Sequence, residues 1–240
     1  MLTRVTITGA DDLVDPKILR ELSDEFPFVE WGILRSVSRE GEPRYPSADW
    51  REKLEAVAMR TDKPGELDTR LDMRLSAHFC GQLVRDTLAG DEKWFKSLPA
   101  EYDRVQLNGF HFTREVEELI GRFDVEWIIQ AKTAEMLHEV ENIRIEMSSN
   151  PNITALWDVS GGQGIEPAVW PSSPGILSLG YAGGITPENV AQVIQNIMTV
   201  TEKPFWIDLE SGVRTDDKFD LVKVRSLLER AKPFLADPGS

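Results

Sequence analysis

What this chain has little of already excludes a good deal. It carries one cysteine, Cys80, in 240 residues, so no intrachain disulfide framework can hold it together and no thiolate pair can seed a zinc site. Three histidines leave few imidazole ligands, and neither a metal nor another cofactor is expected. Positive charge is short as well: 27 Lys and Arg stand against 41 Asp and Glu, a formal net charge of −14. Nucleic acid is therefore not the expected partner, because phosphate backbones are held mainly by clustered cations. No apolar run comes near the roughly eighteen residues that a membrane span needs. The N-terminus also lacks the basic start and apolar centre of a signal peptide, so neither a membrane nor export is expected and a cytoplasmic location follows by default. What remains is one domain over residues 1–240, long enough to bury a large core.

What the chain does have is concentrated late. A strand-like run, Ile176-Leu177-Ser178-Leu179, leads into Gly180-Tyr181-Ala182-Gly183-Gly184, and a second, Phe205-Trp206-Ile207, leads into Asp208-Leu209-Glu210-Ser211-Gly212. Glycines leave backbone N–H groups bare enough to face an anion, so both stretches read as phosphate loops, with Gly183, Gly184, Ser211 and Gly212 holding the ligand. On this reading Gly183→Glu would fill the anion pocket and leave the fold intact. Thr186 is placed to cap a following helix and Pro187 to open it. Two such units in succession are what the phosphate site of a (β/α)₈ barrel requires, after its seventh and eighth strands.

Six strands should precede them, and the pattern supplies six. Residues 3–8 alternate polar and apolar, with Val5 and Ile7 on one face and Thr6 and Thr8 on the other. Strands are expected at 28–34, 73–80, 104–107, 126–131 and 153–157. Helices follow Asp15-Pro16, Ser47, Thr113 and Thr133, with further helices at 82–88, at 93–98 and from Leu221. The alternation implies a parallel sheet, in one α/β barrel with insertions near 35–47 and 90–100.

In such a barrel the chemistry lies where the strands end, and side chains alternate between interior and helix layer. Reading each strand end with period two gives an inward set of Thr6, Thr8, His78, Cys80, Gln106, Asn108, Gln130, Lys132, Asp158, Asp208 and Glu210. Polar residues are ordinary at a wet barrel mouth, but this many beside phosphate-type glycines reads as a ligand site. Asp158 stands out, because it ends an apolar strand and opens the glycine-rich loop through Gly164, as a general acid or base would. His78 and Cys80 share a strand face, a weak metal signal that a packed histidine explains as well. Lys132 fits a Schiff-base lysine or a charge partner of Asp158. Arg35, Arg39 and Arg44, in a long polar loop, fit either an anion clamp or a solvated face.

Six segments resemble the phosphoribosylanthranilate isomerases of tryptophan biosynthesis. They are Val5 to Gly9, Pro43 to Ser47, Val105 to Gly109, Asp158 with Gly161-Gly162-Gln163-Gly164, Ala182 to Asn189, and Asp208 to Val213. The resemblance covers nearly the whole chain, and its last two segments are the most specific. It implies a (β/α)₈ barrel that binds a phosphorylated sugar derivative; the sequence leaves monomer and homodimer both open. In that family an Amadori rearrangement opens the ribose ring and moves a proton from C2′, with a cysteine after the first strand as base and an aspartate after the sixth as acid. Asp158 matches the acid, and Arg44 matches a loop arginine that faces the anthranilate side. Thr8 stands where the base cysteine would be, and Asn108-Gly109 where the family has His-Gly. A threonine hydroxyl cannot abstract that proton unaided, so another base is expected among Cys80, His78, Asp11 and Glu210. The expected function is an isomerase or lyase acting on a phosphorylated sugar or related phosphate ester, with Arg35, Arg44, Asn108, Lys132 and Asp208 binding the substrate. The alternative is a non-catalytic relative that keeps the phosphate pocket.

Overall fold

The apolar runs form eight parallel strands: β1 (Leu2–Thr8), β2 (Val29–Arg35), β3 (Arg74–Phe79), β4 (Tyr102–Leu107), β5 (Glu126–Ala131), β6 (Ile153–Trp157), β7 (Leu179–Ala182) and β8 (Phe205–Leu209). Each pairs with the next and β8 returns to β1, which closes the expected barrel. The computed structural model describes residues 1–59, 73–96, 98, 99, 102–108, 114–146 and 152–236. The expected cap at Thr113 and turn at Gly109 lie outside these.

Helices follow the strands: α1 (Pro16–Glu25), α2 (Ala48–Ala58), α3 (Gln82–Leu88), α4 (Lys93–Lys96), α5 (Arg114–Ile120), α6 (Ala134–Glu146), α7 (Val190–Val200) and α8 (Leu221–Ala231). Their starts are set by short side chains that accept the first free N–H groups. Asp15 accepts from the Lys17 N–H at 3.0 Å, Ser47 from Trp50 at 3.2 Å, and Asp220 from Val222 and Lys223 at 3.0 and 3.1 Å. Residues at helical spacing, such as Leu19 and Leu22 of α1 or Leu227 and Leu228 of α8, then bury against the outer face of the sheet. Each fully buried leucine contributes roughly 1.5–3 kcal/mol, and this shell is the main store of stability. Among the described residues no helix is long and apolar enough to cross a membrane.

Two expectations shift. The seventh strand runs over Leu179–Ala182 rather than 176–179, because Gly180 belongs to the strand. A side chain there would meet the indole of Trp206 on β8 at 2.1 Å, so the glycine admits a bulky neighbour inside the barrel and is not part of the loop that follows. The following helix begins at Val190, after a turn in which the Asn189 side chain accepts from the Thr186 N–H at 2.8 Å. A hairpin that the sequence did not announce, β9 (Arg214–Thr215) with β10 (Lys218–Phe219), follows β8. Asp216 and Asp217 form its turn with positive φ of 50° and 57°, the pairing that a tight two-residue hairpin needs.

The barrel interior is unlike its shell. Near the strand starts sits a charged layer, in which Arg104 bonds both Glu30 and Glu126 at 2.9 Å, and Arg4 bonds Glu30 at 2.8 Å. Thr6 donates to Glu30 at 2.8 Å and Thr154 to Glu126 at 3.1 Å. Burial works to raise the pKa of Glu30, but Arg104, Arg4 and the Thr6 hydrogen bond outweigh it and hold the carboxyl below its usual value. On the β5–β8 side an apolar cluster of Ile128, Leu156, Ala182 and Trp206 lies above this layer.

Candidate active site

Above that cluster the strand ends open into a cavity of about 470 Å³. Its floor is built by period two. Thr8, His78, Gln106, Gln130, Asp158 and Asp208 all line it, all buried, with Cys80, Asn108 and Glu210 one step nearer the rim. Asp158 is fixed by three donors: Gln130 Nε2 at 2.8 Å, the Ser160 hydroxyl at 2.8 Å and the Gly162 N–H at 2.7 Å. Opposite it, the Thr8 hydroxyl donates to Asp208 Oδ1 at 3.0 Å. Burial, joined by the negative charges of Asp158, Glu30 and Glu210, pushes the Asp208 carboxyl up to about 8 against the pull of that hydrogen bond.

Gly32 of β2 lies between Thr8 and His78. A Cβ on it would come within 2.1 Å of Thr8 Oγ1 and 2.9 Å of His78 Nε2, so its bare backbone lets the two side chains share the floor. The imidazole is lowered to about 4, by burial first, and is neutral at physiological pH. Among the described residues its Nε2 and the Gln106 Oε1 are buried without a hydrogen-bond partner. Burial also raises the Cys80 thiol, though Asn108 and Tyr45 hydrogen-bond to it.

The glycine end of the cavity is made of backbone. The loop after β6 is anchored by Trp170, packed edge-on against Tyr181, and by the Tyr181 hydroxyl donating to the Pro171 carbonyl at 2.9 Å. It folds across the glycines after β7, with Ile165 O at 2.5 Å from where a Gly183 Cβ would stand and Glu166 N at 2.7 Å from that of Gly184. Gly164, Gly183, Gly184, Ile185 and Ser211 line this end of the cavity. Among the described residues the N–H groups of Gly184, Ile185 and Ser211 donate no hydrogen bond within the chain. Gly183→Glu is accordingly not a clean block of the pocket: with φ of 114° and a carbonyl oxygen in the way, any side chain there disturbs the loop.

Several expected site residues sit elsewhere. Arg35 faces the helix layer, one step out of phase with the inward Leu34, and lies over the Tyr102 ring at 5.7 Å. Lys132 does not line the cavity; it is exposed and lies along Gly161, its Nζ 2.6 Å from where a Cβ would stand. Gly212 is behind the lining, pressed against the Ile185 carbonyl. Arg44 does reach the mouth, held with φ of 75° by its N–H bond to Asp11 at 2.9 Å. Its guanidinium is bound by Glu210 at 2.8 Å and by Asp217 of the hairpin turn at 2.6 Å. Among the described residues no group of three or more His, Cys, Asp or Glu is placed to hold a metal ion.

The profile of the family described as N-(5'phosphoribosyl)anthranilate (PRA) isomerase matches residues 96–230, more than half of the chain. The chain belongs to that family. Curated relatives also match parts of the chain. The multifunctional tryptophan biosynthesis protein of Phycomyces blakesleeanus is 43% identical over 51 residues, 21% of this chain and 6% of that protein. Its counterpart in Schizosaccharomyces pombe is 30% identical over 146 residues, 58% of this chain and 18% of that protein. The chain thus spans only a small part of these longer relatives. The crystal structure of phosphoribosyl anthranilate isomerase from Thermotoga maritima superposes with a TM-score of 0.57 at 17% identity, covering 96% of this chain and 99% of that one, which shows a shared barrel fold.

The sequence reading missed Gly32 and the charged lower layer. A glycine inside an apolar strand was the available signal for the first. For the second, the period-two sets could have been run backward to Arg104, Glu126 and Glu30.

Proposed function

We propose that this chain is a cytoplasmic isomerase of the phosphoribosylanthranilate type, acting on a phosphorylated sugar amine with Asp158 as general acid. The observation that carries this is the meeting of backbone N–H groups from the β7 and β8 loops beside a buried carboxyl fixed by three donors. N–H groups without internal acceptors suit a phosphate dianion, and they hold it without any net positive charge on the protein. With the phosphate there, the sugar extends across the floor toward Asp158, Asp208 and Thr8. Asp158, oriented by its donors, delivers a proton to the ring oxygen as the ring opens; that proton stays on the new hydroxyl of the open chain, and Asp158 regains one from the C2′ hydroxyl as the enol becomes the ketone.

The far end of the cavity, with Arg44, Arg39 and Tyr45, receives the amine substituent. A relative from Thermotoga maritima is described as dimeric, with monomers generated from it; both states are open to this chain, and sedimentation separates them. The reading is tested by assaying conversion of phosphoribosylanthranilate and by thermal shift with a reduced analogue, since a ligand raises apparent stability by mass action. A shift with the analogue and turnover of the substrate support it. A shift without turnover moves the chain to the alternative, a binding protein that has kept the pocket. No shift with any phosphate ester removes the phosphate site.

A further inference from the structure

We infer that Asp208 is the general base, taking the place of the cysteine that Thr8 replaces, and that the Thr8 hydroxyl is its positioning group. The inference rests on the isomerase reading above. β1 and β8 are hydrogen-bonded neighbours, with Thr6 opposite Asp208, and Thr8 Oγ1 reaches Asp208 Oδ1 at 3.0 Å. A carboxyl on β8 therefore stands beside the point from which a thiol on β1 would act. It lines the same cavity as Asp158, so acid and base approach the substrate from different strands.

The other candidates are occupied or mismatched. Cys80 is engaged by Asn108 and Tyr45, and burial raises its thiol. Glu210 bonds Arg44 at 2.8 Å, while Asp11 accepts from the Arg44 N–H at 2.9 Å and from Arg214 at 3.2 Å. His78, lowered to about 4, is a feeble base.

A solvated aspartate, with a pKa of about 3.9, is also too weak to take a carbon-bound proton readily, whereas an ordinary thiol titrates at about 8.5. The setting of Asp208 closes that gap. The titratable groups facing it are Glu30 on β2, neutral His78 on β3, Asp158 after β6 and Glu210 after β8; with burial, the three carboxylates bring it to about 8. A buried carboxyl thus acquires the proton affinity of the thiol it replaces.

The step balances. Once the ring has opened to the protonated imine, the Asp208 carboxylate takes the C2′ proton. The C2′–H electron pair becomes the C1′=C2′ double bond, and the C1′=N pair returns to nitrogen. Asp208 is left protonated and the substrate is a neutral enamine, which tautomerises to the ketone.

The test compares wild type, Asp208→Asn and the double variant Thr8→Cys with Asp208→Asn, assayed on phosphoribosylanthranilate across pH, with binding of the reduced analogue measured in parallel. Wild-type kcat/KM should show an inflection near pH 8 that Asp208→Asn removes. Asp208→Asn should lose at least ~100-fold in kcat while binding the analogue within about tenfold. Restoring a thiol with Thr8→Cys should recover at least ~10-fold, a rescue that a merely structural carboxyl would not permit. Turnover that survives Asp208→Asn, absence of thiol rescue, or a wild-type kcat/KM with no inflection near pH 8 overturns the assignment. A wild type that binds the analogue and does not turn over overturns the isomerase reading, and this role with it; loss confined to the variants leaves that reading standing.

Discussion

The barrel interior holds two polar layers that obey opposite rules. In the lower one, Arg4, Glu30, Arg104 and Glu126 each have an opposite charge within 2.9 Å. In the upper one, Asp208 is pushed up to about 8, and His78 Nε2 and Gln106 Oε1 are buried without partners among the described residues. Burying polar groups is costly in both places. Below, the cost is offset by pairing, and the layer is structural. Above, it is left unoffset within the chain, and a ligand can satisfy what the fold does not.

This contrast can be broken by mutation, beginning with the largest effect. Asp158→Asn should lower kcat by ~1000-fold while the reduced analogue binds within about tenfold, as read by steady-state kinetics and calorimetry. Comparable turnover in the variant would mean that the upper layer is not catalytic. Arg104→Met should cost about 3–5 kcal/mol in urea unfolding, because Glu30 and Glu126 lose their shared partner. If analogue affinity of the folded protein moved more than about threefold with it, the two layers would not be separate.

Gly183→Ala should destabilise the chain by about 1–3 kcal/mol through its positive φ and the Ile165 carbonyl. It should also weaken phosphate esters; full stability would show that the loop yields. Ser211→Ala removes one hydroxyl at the glycine end of the cavity and should weaken the analogue by no more than about tenfold, leaving the backbone N–H groups to carry the rest.

The pH dependence sharpens the same comparison. A carboxyl raised to about 8 in the folded state binds more protons folded than unfolded between its unfolded pKa, about 3.9, and that value. Its stabilising contribution is therefore complete below about pH 4 and lost as pH rises through 8. Asparagine does not titrate. The Tm of Asp208→Asn should gain on wild type as pH increases, by roughly 3 °C or more above pH 8. A pH-independent difference would place Asp208 among ordinary ionised aspartates. Glu30 runs the other way: its depressed pKa gives stability that is present at neutral pH and lost on acidification below its unfolded value.

Much of the fold was legible because local pattern and global position agreed. Strands at 126–131 and 153–157 fell where the apolar runs lie, and period two, set by the pleat, named most of the cavity floor, from Thr8 to Asp208. The reading failed where a residue answers to something distant in sequence. Gly180 looked like loop because its bulky partner, Trp206, arrives from another strand. Lys132 was placed in the mouth by parity, yet it is exposed and lies along Gly161 of the next loop. Arg44 was found, but not its ties to Glu210 and Asp217, since the hairpin that supplies Asp217 is a product of two positive φ angles.

The sequence alone determined the barrel, the glycine loops and the threonine that ends β1, since hydrophobic period, turn chemistry and a single residue identity are local facts. Only the tertiary structure decided which carboxyl carries the unusual proton affinity. Burial and the charges of Asp158, Glu30 and Glu210 act on Asp208 through space, across strands that come together only when the barrel closes.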